Sequence, residues 1–269
     1  MRENNFVGKN LTESTKIQVS NAIKEGISSV NFIEAMALKK IEQEEVLIDT
    51  SMELILNELT RLGIPKKEIE RKVFVLKTED FRKVIGSGRA GMRSIQNKIY
   101  IEDSRKNLTI LQKVLDHMNI KQEPVLREKA ALFVAILHED IHNASAQKVL
   151  ITDSNYGTYR LGYENRNYID TQIKHSHFEG FNEAVVQTTA LDILQENMEI
   201  VSKKCKISEE EILKEIKSDN SYIFQITILK SIIQVVAKHK KMDQKKVWGK
   251  IRRGQFTGEM MHLRDIEET

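Results

Sequence analysis

A run of eight apolar residues at 130–137 leads directly into the sequence His-Glu-Asp-Ile-His at 138–142. A helix that is apolar on all sides belongs in the interior of a protein, so we expect a buried helix over residues 125–146. Two histidines and two carboxylates at the end of such a helix cost free energy unless something pairs with them. The fold therefore has to surround this helix and supply partners for its polar end.

The sequence at 138–142 has the H-E-x-x-H pattern, whose spacing suits a metal centre. Residues four apart lie on one face of a helix, so the imidazoles of His138 and His142 can bind one ion. Neutral imidazole is a good ligand for Zn²⁺. Glu139 lies about 100° around the helix from His138, which puts its carboxylate beside the ion rather than on it. There it can accept a proton from water as a general base.

A catalytic zinc site needs a third protein ligand and an open fourth position, and two carboxylates are candidates. Glu183 opens a later apolar helical pattern, where a carboxylate on a buried face needs a partner. The helix dipole alone also favours a glutamate in a first turn. Asp153 follows His142 more closely, in a stretch of sequence that is also typical of an ordinary turn. The spacing alone leaves both candidates open.

The chain has only 2 prolines and 12 glycines in 269 residues, which favours long helices. Short apolar or alternating runs predict strands at 72–77 and 95–101. We expect a glycine-containing loop at 85–92, and irregular structure with short strands at 149–180. Apolar periodicity and a capping box at Ser208 and Glu211 predict helices at 30–41, 50–62, 105–118, 125–146, 182–201, from 208 onward, and at 222–238 and 243–253.

These elements indicate a mostly helical α+β fold in three parts. Residues 1–48 are an N-terminal arm with a helix. Residues 49–148 form an α+β subdomain that ends in the helix of the two histidines. Residues 149–269 form a loop and a helical subdomain that carries the third ligand.

The chain has one cysteine, Cys205, which excludes an intrachain disulfide. It shows no secretion signal at its start and no apolar stretch of the ~18–20 residues that span a bilayer. We therefore expect a cytoplasmic protein that does not enter a membrane. The basic stretch at 238–253 is best explained as a solvated helix face, because its apolar residues Val247, Trp248 and Ile251 need covering. We do not expect a nucleic-acid partner.

The pair His138 and His142, followed by Asn182-Glu183 on a later helix, resembles the gluzincin metallopeptidases. Arg160-Leu161-Gly162 and the later run at 180–185 also look like an R-x-G strand and an N-E-A helix of small bacterial zincin-like proteins. The resemblance implies a zincin-like fold and Glu183 as the third zinc ligand. Thermolysin-like gluzincins have an aspartate four residues after that glutamate, which orients a zinc histidine. This chain has Gln187 there, and an amide can still accept a hydrogen bond from imidazole.

A second family, the aspzincins, shares the H-E-x-x-H pattern and takes its third ligand from a D-x-x-Y-G sequence. Residues 153–157 match that sequence, which would make Asp153 the third ligand. The residues before it do not match the start of the aspzincin signature.

The resemblance implies zinc-dependent hydrolysis of a peptide or protein substrate. Zincins also use a hydrogen-bond donor to stabilise the oxyanion, and we expect His177 and Tyr159 in this role. The strand at 95–101 would edge the cleft and pair with an extended substrate. One alternative is an inactive zincin-like interaction module that is stabilised by its metal. Another is a nucleic-acid-binding protein that uses residues 238–253.

Overall fold

The computed structural model describes residues 6–7, 34–65, 69–86, 90–93, 97–105, 128–151, 156–169 and 172–259. Over these ranges the protein is a mixed α+β structure in which helices predominate, as the sequence predicts. None of the described helices is both long and apolar enough to cross a membrane.

The helices of the described ranges agree in most places with the apolar periodicity. The capping box is confirmed: the Glu211 amide donates to Ser208 Oγ over 3.2 Å, and the Ser208 amide donates to Glu211 Oε2 over 2.9 Å. The helices are α1 (Glu42–Arg61), α2 (Thr78–Val84), α3 (Lys129–Ala144), α4 (Glu179–Glu196), α5 (Met198–Cys205), α6 (Glu209–Ser218), α7 (Ile223–His239) and α8 (Gln244–Thr257).

Two helix predictions are wrong in part. In the described part of 30–41, Leu38 forms an isolated bridge with Val75, and its amide donates to the Val75 carbonyl over 2.8 Å. Apolar residues in a short segment can also belong to an extended chain that covers a strand, which explains the error. The helix predicted over 182–201 is two helices, which are separated at Asn197. The helix predicted over 105–118 lies outside the described residues from 106 onward.

A small sheet has the strand order β2-β4-β3, formed by β2 (Lys72–Leu76), β3 (Ala90–Arg93) and β4 (Lys98–Glu102). Strands β2 and β4 are parallel, and β3 is antiparallel to β4. The described part of the strand predicted at 95–101 is therefore in the central strand, β4, and β3, part of which we expected to be loop, lies at one edge of the described sheet. Gly91 hid this strand: a Cβ atom there would collide with the side chain of Ile85, so glycine allows a close approach.

A larger sheet occupies the region where the sequence predicts irregular structure with short strands. Its strand order is β1-β5-β6-β7-β8, with β1 parallel to β5 and the other pairs antiparallel. These strands are rich in polar residues and lack a clear apolar alternation. The strands are β1 (Phe6–Val7), β5 (Gln147–Ile151), β6 (Tyr156–Leu161), β7 (Glu164–Ile169) and β8 (Gln172–His177).

Helix α3 lies at the centre of the fold, between α1 and α4. The largest apolar cluster contains residues of all three helices, among them Leu54, Phe133 and Val186. The opposite face of α4 belongs to a second cluster that it shares with α7 and α8, including Val185, Leu229 and Ile251. The packing of α4 between two apolar clusters fixes the residues that it presents to α3.

Asp140 fixes the rotation of α3 about its own axis. Its carboxylate is fully buried and accepts hydrogen bonds from Ser51 Oγ over 2.6 Å and from Arg71 Nη1 over 3.0 Å. Burial raises the pKa of Asp140 to about 6, although Arg71 and Ser51 act in the opposite direction. Because Asp140 faces these partners, the neighbouring histidines are turned towards α4.

Candidate metal centre

Three side chains from two helices converge on one point. Nε2 of His138 lies 3.1 Å from Nε2 of His142. Oε2 of Glu183 lies 3.2 Å from His138 Nε2, and Oε1 of Glu183 lies 3.3 Å from His142 Nε2. The three residues are close enough to hold one metal ion. Of the sequence-predicted ligands, the structure therefore brings together His138, His142 and Glu183.

The packing of α3 against α4 creates this arrangement. His138 and His142 are one turn apart on α3, and only 7% and 6% of their surfaces are exposed. Glu183 lies near the start of α4, whose N-cap Phe178 has a left-handed backbone. The carboxylate points across the interface between the helices instead of into solvent, so it meets both imidazoles.

The donor set fits zinc. In a tetrahedral site with ligands at about 2.0–2.1 Å, the ligand atoms lie about 3.3 Å apart. The separation of 3.1 Å between the two Nε2 atoms is close to that spacing, and each Nε2 lies 3.2 or 3.3 Å from a different oxygen of Glu183. Two imidazoles and one carboxylate also form a donor set that catalytic zinc sites use.

The electrostatics of the centre favour a positive charge within it. Burial acts to raise the pKa of Glu183, but the imidazoles of His142 and His138 lower it well below its usual range. Burial acts to lower the pKa of His138, but the carboxylates of Glu183 and Glu139 raise it overall. Both shifts favour an ionised Glu183 and a positive charge beside it.

Gln187 lies one turn beyond Glu183 on α4 and is buried. Its Oε1 accepts a hydrogen bond from Nδ1 of His138 over 2.6 Å. Gln187 thus makes the hydrogen bond to imidazole that the sequence indicates is possible for an amide at this position. With a hydrogen on Nδ1, the lone pair of His138 is on Nε2, the atom that faces the ligand cluster.

A cleft of about 610 Å³ opens beside His138, which is the one of the three ligands that lines it among the described residues. One stripe of α3 forms part of its wall: Ala131 and Ala135 are small and partly exposed, and Glu139 follows one turn later. Glu139 therefore faces the cleft next to the ligand cluster, where the sequence predicts a general base.

Sequence reasoning missed Tyr222. Its ring stacks on that of His138, with the centroids 5.7 Å apart and the planes 9° from parallel. Its hydroxyl donates a hydrogen bond to Glu183; burial, followed by the carboxylate of Glu183, raises its pKa. Tyr222 also lines the cleft. The sequence showed Tyr222 only as the first residue of the helix predicted at 222–238, and that position gives no signal for a contact with α3.

The predicted oxyanion donors are not part of this cluster in the described structure. His177 ends β8 with an exposed side chain and is not among the described residues that line the cleft. Tyr159 lies in β6, opposite Val149 and Arg166, and its side chain is outside the described part. Asp153 also lies outside the described residues. The roles of these three residues remain predictions.

The Arg160-Leu161-Gly162 motif and the motif that contains Asn182 lie next to each other. Arg160 donates to the carbonyls of Gly162 and Gly258 over 2.8 and 3.1 Å. Asn182 Oδ1 accepts from the Tyr163 amide over 3.1 Å and from Gln255 Nε2 over 3.0 Å. The turn between β6 and β7 is thereby held against the first turn of α4, directly beside Glu183.

Two side chains of the basic stretch at 238–253, Trp248 and Arg252, contact other helices of the protein. The Trp248 indole donates to Asp192 over 2.8 Å, and Arg252 pairs with Glu58 over 2.8 Å. Val247 and Ile251 are buried, as expected of a covered helix face.

Comparison of the chain with protein-family models, with curated proteins and with solved structures finds no match.

Proposed function

We propose that this protein is a zinc-dependent peptidase. The observation that supports this most directly is the convergence of His138, His142 and Glu183 at 3.1–3.3 Å, with the carboxylate of Glu139 facing the adjoining cleft. A site that only stabilises the fold needs no open cleft and no additional carboxylate beside the ligands.

His138, His142 and Glu183 would hold the zinc ion, which would supply a Lewis acid for the activation of water and of the peptide carbonyl group. Glu139 accepts the proton of the attacking water and passes it to the leaving amine. In this role the hydroxyl of Tyr222 exchanges its hydrogen bond to Glu183 for one to the oxygen on which negative charge develops. The stacking of Tyr222 on His138 holds the ring beside the metal ligands.

An extended peptide is the substrate that the cleft accommodates best. Strand β3 is at the edge of its sheet in the described structure, lies against α3, and contributes Ala90 to the cleft. A peptide can pair with such an edge through its backbone. The cleft is lined by two lysines and by five carboxylates, so we expect cleaved peptides to be enriched in Lys and Arg; the five are Glu128, Glu139, Glu211, Glu215 and Asp219.

A comparison of Glu139→Gln with the wild type tests this function. The amide keeps the shape of the side chain but cannot act as a base, and loss of a general base costs about 10²–10⁴-fold in rate. The variant should keep its zinc and its Tm and lose cleavage of a mixed peptide library read by mass spectrometry. Glu210→Gln changes an exposed glutamate outside the cleft and should cleave like the wild type.

Equal cleavage by wild type and Glu139→Gln would mean that the activity does not come from this site. A zinc-loaded wild type that cleaves no peptide in the library would favour the inactive, metal-stabilised module over the enzyme.

A further inference from the structure

From the candidate centre, a chain of hydrogen bonds runs along the wall of the cleft from His138 to Asp219. Gln187 accepts from His138 Nδ1 through Oε1, over 2.6 Å. Through its amide nitrogen, the same side chain donates to Oδ2 of Asp219. Asp219 directly follows the last residue of α6, so the chain joins α3, α4 and the end of α6.

The partner of Gln187 decides which way its amide faces. The two ends of an amide have nearly the same shape, so packing alone does not distinguish them. A carboxylate can only accept hydrogen bonds, and Asp219 therefore holds the NH₂ group on its own side. The oxygen must then face His138, whose Nδ1 has to carry a hydrogen.

The opposite orientation of the amide would disable the centre. The NH₂ group would face Nδ1 and would require its lone pair, which moves the hydrogen of a neutral imidazole to Nε2. Nε2 is the atom that lies 3.2 Å from Glu183 and 3.1 Å from His142. An imidazole that is protonated there cannot bind a metal through this atom.

A second contact of Asp219 reaches the other side of the centre. Its Oδ1 accepts a hydrogen bond from the backbone amide of Ser221 over 2.7 Å. Tyr222 follows with a left-handed backbone, at φ +59°, and stacks on His138. One carboxylate therefore holds both the amide behind His138 and the turn that carries Tyr222.

We propose that Asp219 is a positioning residue that prepares His138 for metal binding through Gln187. It supplies the negative charge that a direct carboxylate partner would supply, at a distance of one amide group. The inference rests on the proposed function in that it takes the three-residue centre to bind zinc.

An exchange of the two groups tests the relay. Asp219→Asn permits both amide orientations and should weaken zinc binding about tenfold, as measured by competition with a chromophoric chelator. The double variant Gln187→Glu with Asp219→Asn places the carboxylate on His138 and the amide behind it. Zinc affinity should then return to within about threefold of the wild type, because the coupled pair is restored.

Asp243→Asn is the matched control. Asp243 Oδ1 accepts from the Lys245 amide over 2.6 Å at the start of α8, the same local contact that Asp219 makes with Ser221, and it does not line the cleft. Its zinc affinity should equal that of the wild type. The Nδ1 hydrogen of His138 in the zinc-loaded protein provides a second readout: its exchange with solvent should be slow in the wild type and the double variant, and faster in Asp219→Asn.

Asp219→Asn with unchanged zinc affinity and unchanged exchange would overturn the inference. So would a double variant that binds zinc no better than Asp219→Asn, because Asp219 would then act only through the local fold. These measurements are independent of peptide cleavage, so an inactive but zinc-binding protein would refute the peptidase and leave the relay standing. A wild type that binds no zinc would overturn both.

Discussion

Nε2 of His138 lies 3.1 Å from Nε2 of His142, and a single carboxylate, that of Glu183, lies within 3.3 Å of both. A hydrogen bond between the two Nε2 atoms joins only the two histidines. A zinc ion can satisfy all three side chains at once. The relationship therefore predicts that metal binding stabilises the folded chain.

We expect the protein to bind about one Zn²⁺ per chain, and His138→Ala to lose most of it, because two ligand atoms then remain. Elemental analysis of protein purified without chelator measures this. Removal of zinc with a chelator should lower the Tm, since zinc at 100 times its Kd adds about 2.7 kcal/mol to the free energy of unfolding.

His239→Ala is the control for the zinc measurement, since His239 is exposed at the end of α7. It should retain the wild-type zinc content. An unchanged zinc content in His138→Ala would exclude the centre.

Glu183→Ala should weaken zinc binding by more than about 100-fold, because even partners outside the ligand set cost about 10–100-fold. Asp153→Ala should change zinc affinity little. Titration of each variant against a competing chelator measures both. If Asp153→Ala releases the metal and Glu183→Ala does not, the aspzincin-like arrangement replaces the one proposed.

Tyr222→Phe should keep the ring stacked on His138 and lose only the hydroxyl. Removal of one oxyanion donor costs about 10²–10³-fold in kcat. Because the hydroxyl also donates to Glu183, zinc binding should weaken about tenfold, so kcat is compared at saturating zinc. Steady-state kinetics on a peptide selected from the library measures this.

The corresponding comparison for the sequence-predicted donors uses His177→Ala and Tyr159→Phe. A larger fall in kcat for either variant than for Tyr222→Phe would transfer the role of oxyanion donor to that residue.

Gly162→Ala should destabilise the fold more than Gly63→Ala. Both glycines have left-handed backbones, at φ +56° and +68°, so alanine costs about 1–2 kcal/mol at either. A Cβ at position 162 would also lie 2.6 Å from Gln255 Cδ and 2.7 Å from Asn182 Oδ1, whereas one at position 63 has open space. Urea denaturation should show the larger loss for Gly162→Ala.

Because Asn182 precedes Glu183, Gly162→Ala should also weaken zinc binding, while Gly63→Ala should not. Equal losses of stability in the two variants would show that the side chains around Gly162 move aside without cost.

The elements with a strong local signal were predictable from the sequence. The apolar run at 130–137 identifies α3, and the capping box identifies the start of α6, because both depend on neighbouring residues along the chain. The strand at 90–93 was missed because Gly91 removes the apolar signal that its packing against Ile85 would otherwise require. Short strands were expected within 149–180, but their bounds and their pairing into one sheet were not predicted, because these polar strands lack a periodic apolar face.

For the candidate site, the sequence by itself determined His138, Glu139 and His142, because the geometry of one helix fixes their relative positions. It named Glu183 and left Asp153 as an alternative, since spacing along the chain does not show which helix packs on α3. The tertiary structure decided that Glu183 and Gln187 face the histidines, and it added Tyr222 and Asp219. These contacts join residues far apart in sequence, and only the packing of α3, α4 and the turn before α7 brings them together.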